Sequence, residues 1–238
     1  MKLTHSATLF QREFKMGSRM MHLIIANQVF ENLQISNQQE FLLGGIAPDA
    51  AFTRDTKNNS HFYEGRLDDG TRFVNYHGFI EKYEVDIQNE FMLGYLTHLV
   101  SDDVWMKSIY FKNDFNNRLQ VDPNLLERWH NDFRKLNGKL IERFDCADVK
   151  EKLIGANTQI NSVSEINEKD LQIFTKETLS DFTYNKKDLD EELQVFNVKE
   201  INDYIGLATN TAINVCRAVI FENKKMTNLK FTQFNHKK

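Results

Sequence analysis

Residues that break helices are scarce in this chain. Only two prolines and ten glycines occur among its 238 residues. Because a sandwich of many short strands needs frequent turns, this scarcity favours helices over strands. A regular apolar stripe of helical period supports that reading, formed by Leu126, Trp129, Phe133, Leu136, Leu140 and Phe144. We therefore predict an all-α fold, a bundle of several helices with little or no strand.

Polar residues with cap-forming side chains predict where the helices begin. Ser18, Asn167 and Asn197 each precede an apolar pattern of helical period, so we expect each of them to cap a helix. Asp122 is the expected cap of the striped helix, because Pro123 would then occupy the first helical position, where proline is tolerated.

Three further segments complete the expected architecture. A long helix is predicted over residues 87–110. Residues 53–76 are polar and rich in turn-forming residues, which predicts a long loop of the kind that often carries function. A small strand is expected near residues 193–196.

The domain organisation is predicted to be simple. No linker composition or internal repeat divides the chain, and its length suits one large domain. We expect residues 16–145 to form a metal-binding helical core and residues 146–238 to supply helices packed on the same domain. Residues 1–15 are a candidate N-terminal extension, because Met16 offers a second start.

Charge and hydropathy restrict the possible partners and location. The net charge is −4, which does not favour nucleic acid as a partner, although nucleic acid stays open as a substrate. No segment approaches the roughly 18 apolar residues of a transmembrane helix, and the N-terminus has no apolar run of signal-peptide length. These observations predict a cytoplasmic protein. They do not predict its oligomeric state.

One apolar segment carries two potential metal ligands. His98 and Asp102 are four residues apart, about one helical turn, so their side chains would point the same way from one helix face. Three further candidates lie upstream: His22, Asp49 and His61. His61 falls in the expected loop, and Asp49 follows a Gly-Gly-x-x-Pro bend that would turn its carboxylate outward.

Imidazole nitrogen and carboxylate oxygen around an open position are the ligands of a hydrolytic zinc site. Zinc would make a bound water acidic enough to ionise near neutral pH. The spacing by itself leaves two readings open, since a histidine in an apolar helix is commonly a hydrogen-bonded core residue and His-x-x-x-Asp recurs by chance.

The order of these residues resembles a known family. His22, the segment from Gly44 to Asp49, the segment around His61 and the segment from Gly94 to Asp102 look like the zinc-dependent phospholipase C family. That bacterial family is all-α and shares its fold and metal cluster with fungal zinc nucleases. The resemblance covers residues 16–110, more weakly to residue 144, and implies a phospholipase C and zinc nuclease-like helical bundle.

The resemblance also implies roles for individual residues. Asp49, His61, His98 and Asp102 match the ligands of one zinc, and Asp102 would bridge to a second metal that His22 also binds. Asp49 is then the candidate general base. The secreted phospholipases also use an N-terminal tryptophan and a downstream His-x-x-x-Glu pair, which are not found here, so we expect one or two zinc ions.

Five other residues are weaker site candidates. Asp69, Asp103 and His130 could serve as additional ligands or could orient a ligand through a hydrogen bond. Arg19 and Arg72 are the basic residues nearest the motifs and could bind a phosphate.

The predicted function is hydrolysis of a phosphate ester, most simply a phosphodiester, by metal-activated water. A small phosphoester or a phospholipid is the expected substrate. Two alternatives remain open at this point. One is a helical binding or scaffold protein with a structural metal. The other is a phosphohydrolase of the His-Asp superfamily, which is weakened because no histidine is directly followed by aspartate in this chain.

Overall fold

The computed structural model describes residues 18–159 and 163–221, without the side chain of residue 221. The candidate N-terminal extension, residues 1–15, lies outside the described residues. Within these ranges the chain is mostly helical, and its single sheet has two short antiparallel strands. The predicted all-α class is confirmed.

The described ranges contain ten α-helices: α1 (Arg19–Asn32), α2 (Gln38–Ile46), α3 (Arg54–Ser60), α4 (Tyr76–Lys82), α5 (Glu90–Trp105), α6 (Phe115–Val121), α7 (Leu125–Phe144), α8 (Ala147–Ile154), α9 (Glu168–Ser180) and α10 (Val198–Phe221). The strands are β1 (Tyr63–Glu64) and β2 (Phe73–Val74). Short 3-10 turns span Ala47–Asp49 and Lys186–Leu189, and a π-helical segment spans Met106–Phe111. Among the described helices, none is both long and apolar enough to cross a bilayer.

Three predicted caps are confirmed. The side chains of Ser18, Asn167 and Asn197 accept backbone N–H groups from the first turns of α1, α9 and α10 at 3.2, 2.9 and 2.8 Å. Asn197 forms only half of a capping box, because the side chain of Glu200 accepts a hydrogen bond from Asn113 at 3.0 Å instead of reaching back.

The predicted start of the striped helix is wrong by two residues. α7 begins at Leu125, and Asn124 is its cap residue. Asp122 ends α6, and its carboxylate accepts the Asn124 N–H at 3.0 Å and pairs with Arg128. Asp122 therefore forms a local turn through its side chain, which competes with a cap at that position.

The predicted loop over residues 53–76 is also wrong in part. Thr53 and Thr56 form a capping box that starts α3, and the hairpin pairs Tyr63 with Val74. Only the residues between the two strands form an extended loop. The candidate ligand His61 consequently lies at the C-terminal end of α3, two residues before β1.

The strand expected near residues 193–196 does not form. The backbone N–H groups there bind the buried carboxylate of Asp132 in α7, with donor-to-oxygen distances of 2.7–3.1 Å for Gln194, Val195 and Phe196. Because one carboxylate uses all three donors, none of them is available to a neighbouring strand.

The helix predicted over residues 87–110 divides into two parts. Asn89 caps α5, and the π-helical segment continues from its C-terminal end. α5 is buried along nearly its whole length and packs most extensively against α2, then against α10. α7 contacts α1 and reaches the end of α5 through Trp105 and Trp129. The division into residues 16–145 and 146–238 stays a prediction, although α10 packs against both α1 and α5.

Two glycines set the distance between α2 and α5. A Cβ on Gly44 would lie 2.0 Å from the carbonyl oxygen of Phe91, and a Cβ on Gly94 would lie 2.0 Å from that of Phe41. No side chain fits at either position, so the two backbones are in direct contact. This close approach brings the C-terminal end of α2 against the middle of α5, where His98 lies.

Candidate metal centre

Five side chains from separate segments meet beside the middle of α5. His22 comes from α1, Asp49 from the 3-10 turn after α2, His61 from the end of α3, and His98 and Asp102 from one face of α5. Two overlapping sets of three ligand atoms lie within 4.8 Å of one another: His22, His98 and Asp102, and Asp49, His61 and His98. We call these five residues the ligand cluster.

His61 and His98 occupy the centre of the ligand cluster. Their Nε2 atoms are 3.3 Å apart. His61 Nε2 also lies 3.3 Å from Asp49 Oδ1 and 3.5 Å from Asp102 Oδ2. His22 stacks on the His98 ring with 3.8 Å between centroids, and its Nε2 lies 3.5 Å from Asp102 Oδ1. The cluster is therefore dense with nitrogen and oxygen atoms and nearly sealed from solvent.

Backbone carbonyls determine which nitrogen of His61 and of His98 carries the proton. Nδ1 of His98 donates to the carbonyl oxygen of Gly45 at 2.9 Å, and Nδ1 of His61 donates to that of Lys57 at 3.0 Å. A carbonyl only accepts, so the proton of each neutral imidazole lies on Nδ1. Both Nε2 atoms therefore present lone pairs to the ligand cluster, and no proton lies between them.

Ser101 determines the tautomer of His22 in the same way. The Ser101 hydroxyl donates its one proton to the carbonyl oxygen of His98 at 2.8 Å. Its oxygen is left to accept from Nδ1 of His22 at 3.0 Å. The Nε2 atom of His22 therefore directs a third lone pair into the ligand cluster.

Two buried atoms of the ligand cluster have no hydrogen-bond partner. They are Nε2 of His22 and Oδ1 of Asp102, which face each other. Both are acceptors, and a buried acceptor without a donor costs free energy. A divalent cation would satisfy these atoms and the opposed nitrogens of His61 and His98 together. The donor set therefore fits zinc, which binds imidazole nitrogen and carboxylate oxygen.

Burial also holds His22 and His98 in the neutral form that binds metal. Burial holds the pKa of the His98 imidazole well below its usual range, and burial lowers the pKa of His22. For Asp49, burial acts to raise the pKa, but the opposing contributions, led by the Lys57 ammonium, hold the pKa well below its usual range. The ligand cluster thus contains at least two neutral imidazoles, those of His22 and His98, and at least one ionised carboxylate.

A comparison with known protein families identifies the family of this chain. Residues 21–144, just over half of the chain, match the family described as zinc dependent phospholipase C. The chain belongs to this family. All five members of the ligand cluster lie inside the matched segment. Neither a curated protein nor a solved structure matches the chain significantly.

Several further residues of this zinc-dependent phospholipase C family member contact the ligand cluster and were not predicted. Lys57 donates to Asp49 at 3.1 Å, Tyr63 donates its hydroxyl proton to Asp102 at 3.1 Å, and Ser101 binds His22. Lys57 lies four residues before His61, so a correct prediction of α3 would have placed them together. No sequence signal marks Tyr63 or Ser101.

The three additional ligand candidates do not join the ligand cluster. Asp103 is buried on another face of α5 and pairs with Lys107 at 2.5 Å. Asp69 is exposed between the two strands, where its carboxylate accepts hydrogen bonds from Thr71. His130 lies exposed on α7. Asp103 and His130 face away from the ligand cluster because of their positions around the axes of α5 and α7. The carboxylate of Asp69 is occupied by hydrogen bonds of a local turn.

The two phosphate-binding candidates have different surroundings. Arg19 pairs with Asp181 at 2.6 Å and with Glu177 at 3.0 Å, so carboxylates already occupy its guanidinium. Arg72 lies over the ring of Tyr63 at 5.0 Å, and its buried Nε has no hydrogen-bond partner. Of the two arginines, only Arg72 lies next to a residue that contacts the ligand cluster.

Proposed function

We propose that this protein is a zinc-dependent hydrolase of phosphate esters, most simply of a phosphodiester. The observation that carries the proposal is the buried convergence of three unprotonated imidazole nitrogens with the carboxylates of Asp49 and Asp102. Membership of the zinc-dependent phospholipase C family supports zinc as the metal.

The lone pairs suggest how the ligands would be shared. An imidazole Nε2 binds one metal, whereas a carboxylate can bridge two. We propose that Asp49, His61, His98 and Asp102 would hold one zinc, and that His22 together with Asp102 would hold a second. Since the described residues offer the second position only two ligands, we propose one zinc or two.

Zinc, when bound, would supply positive charge that neutralises phosphate oxygens and makes water a nucleophile near neutral pH. The chain would hold the ligands in place through Gly45, Lys57 and Ser101, which orient the three imidazoles. Asp49 is also our candidate general base, because its ionised carboxylate lies at the edge of the ligand cluster. Its low pKa makes it a weak base, so its role as a ligand has the better physical support.

A phosphodiester anion would be attracted by the positive charge that bound zinc would supply. We propose a phospholipid or a small phosphodiester as substrate. Nucleic acid remains a possible substrate that the net charge of −4 does not favour. Arg72 is proposed as a phosphate contact, because Tyr63 holds its guanidinium near Asp102 and, among the described residues, no carboxylate pairs with it.

The test combines metal analysis with a substrate screen. Zinc is measured by mass spectrometry on purified protein, and phosphomonoesters, phosphodiesters, phospholipids and single-stranded nucleic acid are offered as substrates. We expect at least one zinc per chain and hydrolysis of a phosphodiester. Tightly bound zinc without hydrolysis of any ester would favour a scaffold with a structural metal, and absence of zinc binding would contradict the whole proposal.

A further inference from the structure

Lys57 is the one basic side chain that directly contacts the ligand cluster among the described residues. Its ammonium nitrogen lies 3.1 Å from Oδ1 of Asp49. The side chain is only 12% exposed, which is unusual for a lysine unless its charge is paired or functional. Neither the family match nor the proposed ligand set accounts for an ammonium at this position.

The ammonium has donor capacity beyond its bond to Asp49. A lysine ammonium carries three N–H donors. Among the described residues, Asp49 is its only hydrogen-bond partner. The remaining donors therefore stay available at the edge of the ligand cluster.

The position of Lys57 matches the side from which an anion would approach. The side chains of His22, His61, His98 and Asp102 are 0–1% exposed, whereas those of Asp49 and Lys57 are 9% and 12% exposed. Within the described residues, the ligand cluster thus becomes accessible toward the Asp49–Lys57 pair.

The backbone of Lys57 fixes the ammonium relative to the ligands. Its carbonyl oxygen accepts the Nδ1 proton of His61, and its side chain crosses to Asp49. The same residue therefore binds two proposed ligands of one zinc, and the capping box of Thr53 and Thr56 holds the start of its helix. An ammonium held in this way loses little conformational freedom when it binds an anion.

We propose that Lys57 is a phosphate-binding residue whose ammonium binds a non-bridging phosphate oxygen of the substrate. This inference rests on the proposed function, because it places the phosphate at the ligand cluster. The ammonium keeps its bond to Asp49 and uses a second donor for the phosphate. It adds one fixed positive charge to the centre, which becomes more valuable as negative charge increases in the transition state.

The test compares Lys57→Met with Lys57→Arg in zinc-loaded protein. Met removes the charge and keeps an apolar stem, whereas Arg keeps the charge. Affinity for inorganic phosphate is measured by calorimetry, and zinc content is measured on the same samples. We expect Lys57→Met to weaken phosphate binding about tenfold or more, in keeping with a lost charged hydrogen bond. Lys57→Arg should retain most of the affinity, and both variants should retain zinc.

Lys199→Met is the matched control, because Lys199 pairs with Asp203 on the exposed face of α10. It should leave phosphate binding unchanged. Unchanged phosphate affinity in Lys57→Met would overturn the inference, and so would loss of zinc, which would limit Lys57 to holding Asp49. Wild-type protein that binds phosphate through Lys57 but hydrolyses no ester would refute the proposed function and leave this inference standing.

Discussion

The Nε2 atoms of His61 and His98 face each other at 3.3 Å, and neither carries a proton. Two lone pairs at that distance repel each other unless a positive charge lies beside them. The fold imposes this arrangement, because each ring is fixed by a backbone carbonyl on its other side. A cation is therefore the simplest component that would stabilise the pair.

The first prediction concerns the two proposed ligands on α5. Asp102→Asn removes a charge while keeping the shape, and His98→Ala removes an imidazole from the same helix face. We expect each change to weaken zinc binding at least about tenfold and to abolish phosphodiester hydrolysis. His130→Ala is the control, because His130 is exposed on α7. Full zinc content and full activity in Asp102→Asn would remove the bridging carboxylate from the proposal.

The second prediction concerns the residue that orients His22. Ser101→Ala removes the oxygen that accepts the Nδ1 proton of His22, so that ring loses its fixed tautomer. We expect zinc affinity to fall by about 10–100-fold, as for other residues that orient a metal ligand. Ser108→Ala is the matched control, since the Ser108 hydroxyl donates only to the carbonyl of Val104. Equal zinc affinities in the two variants would contradict the orienting role.

The third prediction concerns the contact between α2 and α5. Gly94→Ala would force a methyl group against the Phe41 carbonyl, so we expect the free energy of unfolding to fall by about 3 kcal/mol. Gly206→Ala is the control within another helix, because a Cβ there meets nothing within 4 Å. That change should raise the free energy of unfolding by about 0.5–1 kcal/mol. Urea denaturation measures both, and a Gly94→Ala variant as stable as wild type would disprove the tight contact.

The fourth prediction concerns the buried carboxylate in α7. Asp132→Ala leaves the N–H groups of residues 194–196 without an acceptor. We expect a loss of about 3 kcal/mol in the free energy of unfolding, the usual scale for a broken buried network. Asp203→Ala should change it by less than about 0.5 kcal/mol, because that side chain is 65% exposed. A small effect of Asp132→Ala on thermal unfolding would mean that other acceptors replace the carboxylate.

Local interactions account for the parts of the fold that were predicted correctly. Ser18, Asn167 and Asn197 cap their helices through groups two or three residues away, so neighbouring residues contain the necessary information. The errors involve competing side chains. Asp122 uses its carboxylate in a turn, and Asp132 captures backbone donors 62–64 residues away, which no local pattern can reveal.

The sequence by itself determined the helical class, the family resemblance and the shared helix face of His98 and Asp102. Only the tertiary structure decided that His22, Asp49 and His61 meet that face, because they come from separate segments of the chain. The close approach of Gly44 and Gly94 brings the end of α2, which Asp49 follows, against α5. It also brought Lys57 and Tyr63 to the ligand cluster. Tautomers and pKa values follow from burial and from carbonyls in other segments, so they are properties of the folded chain alone.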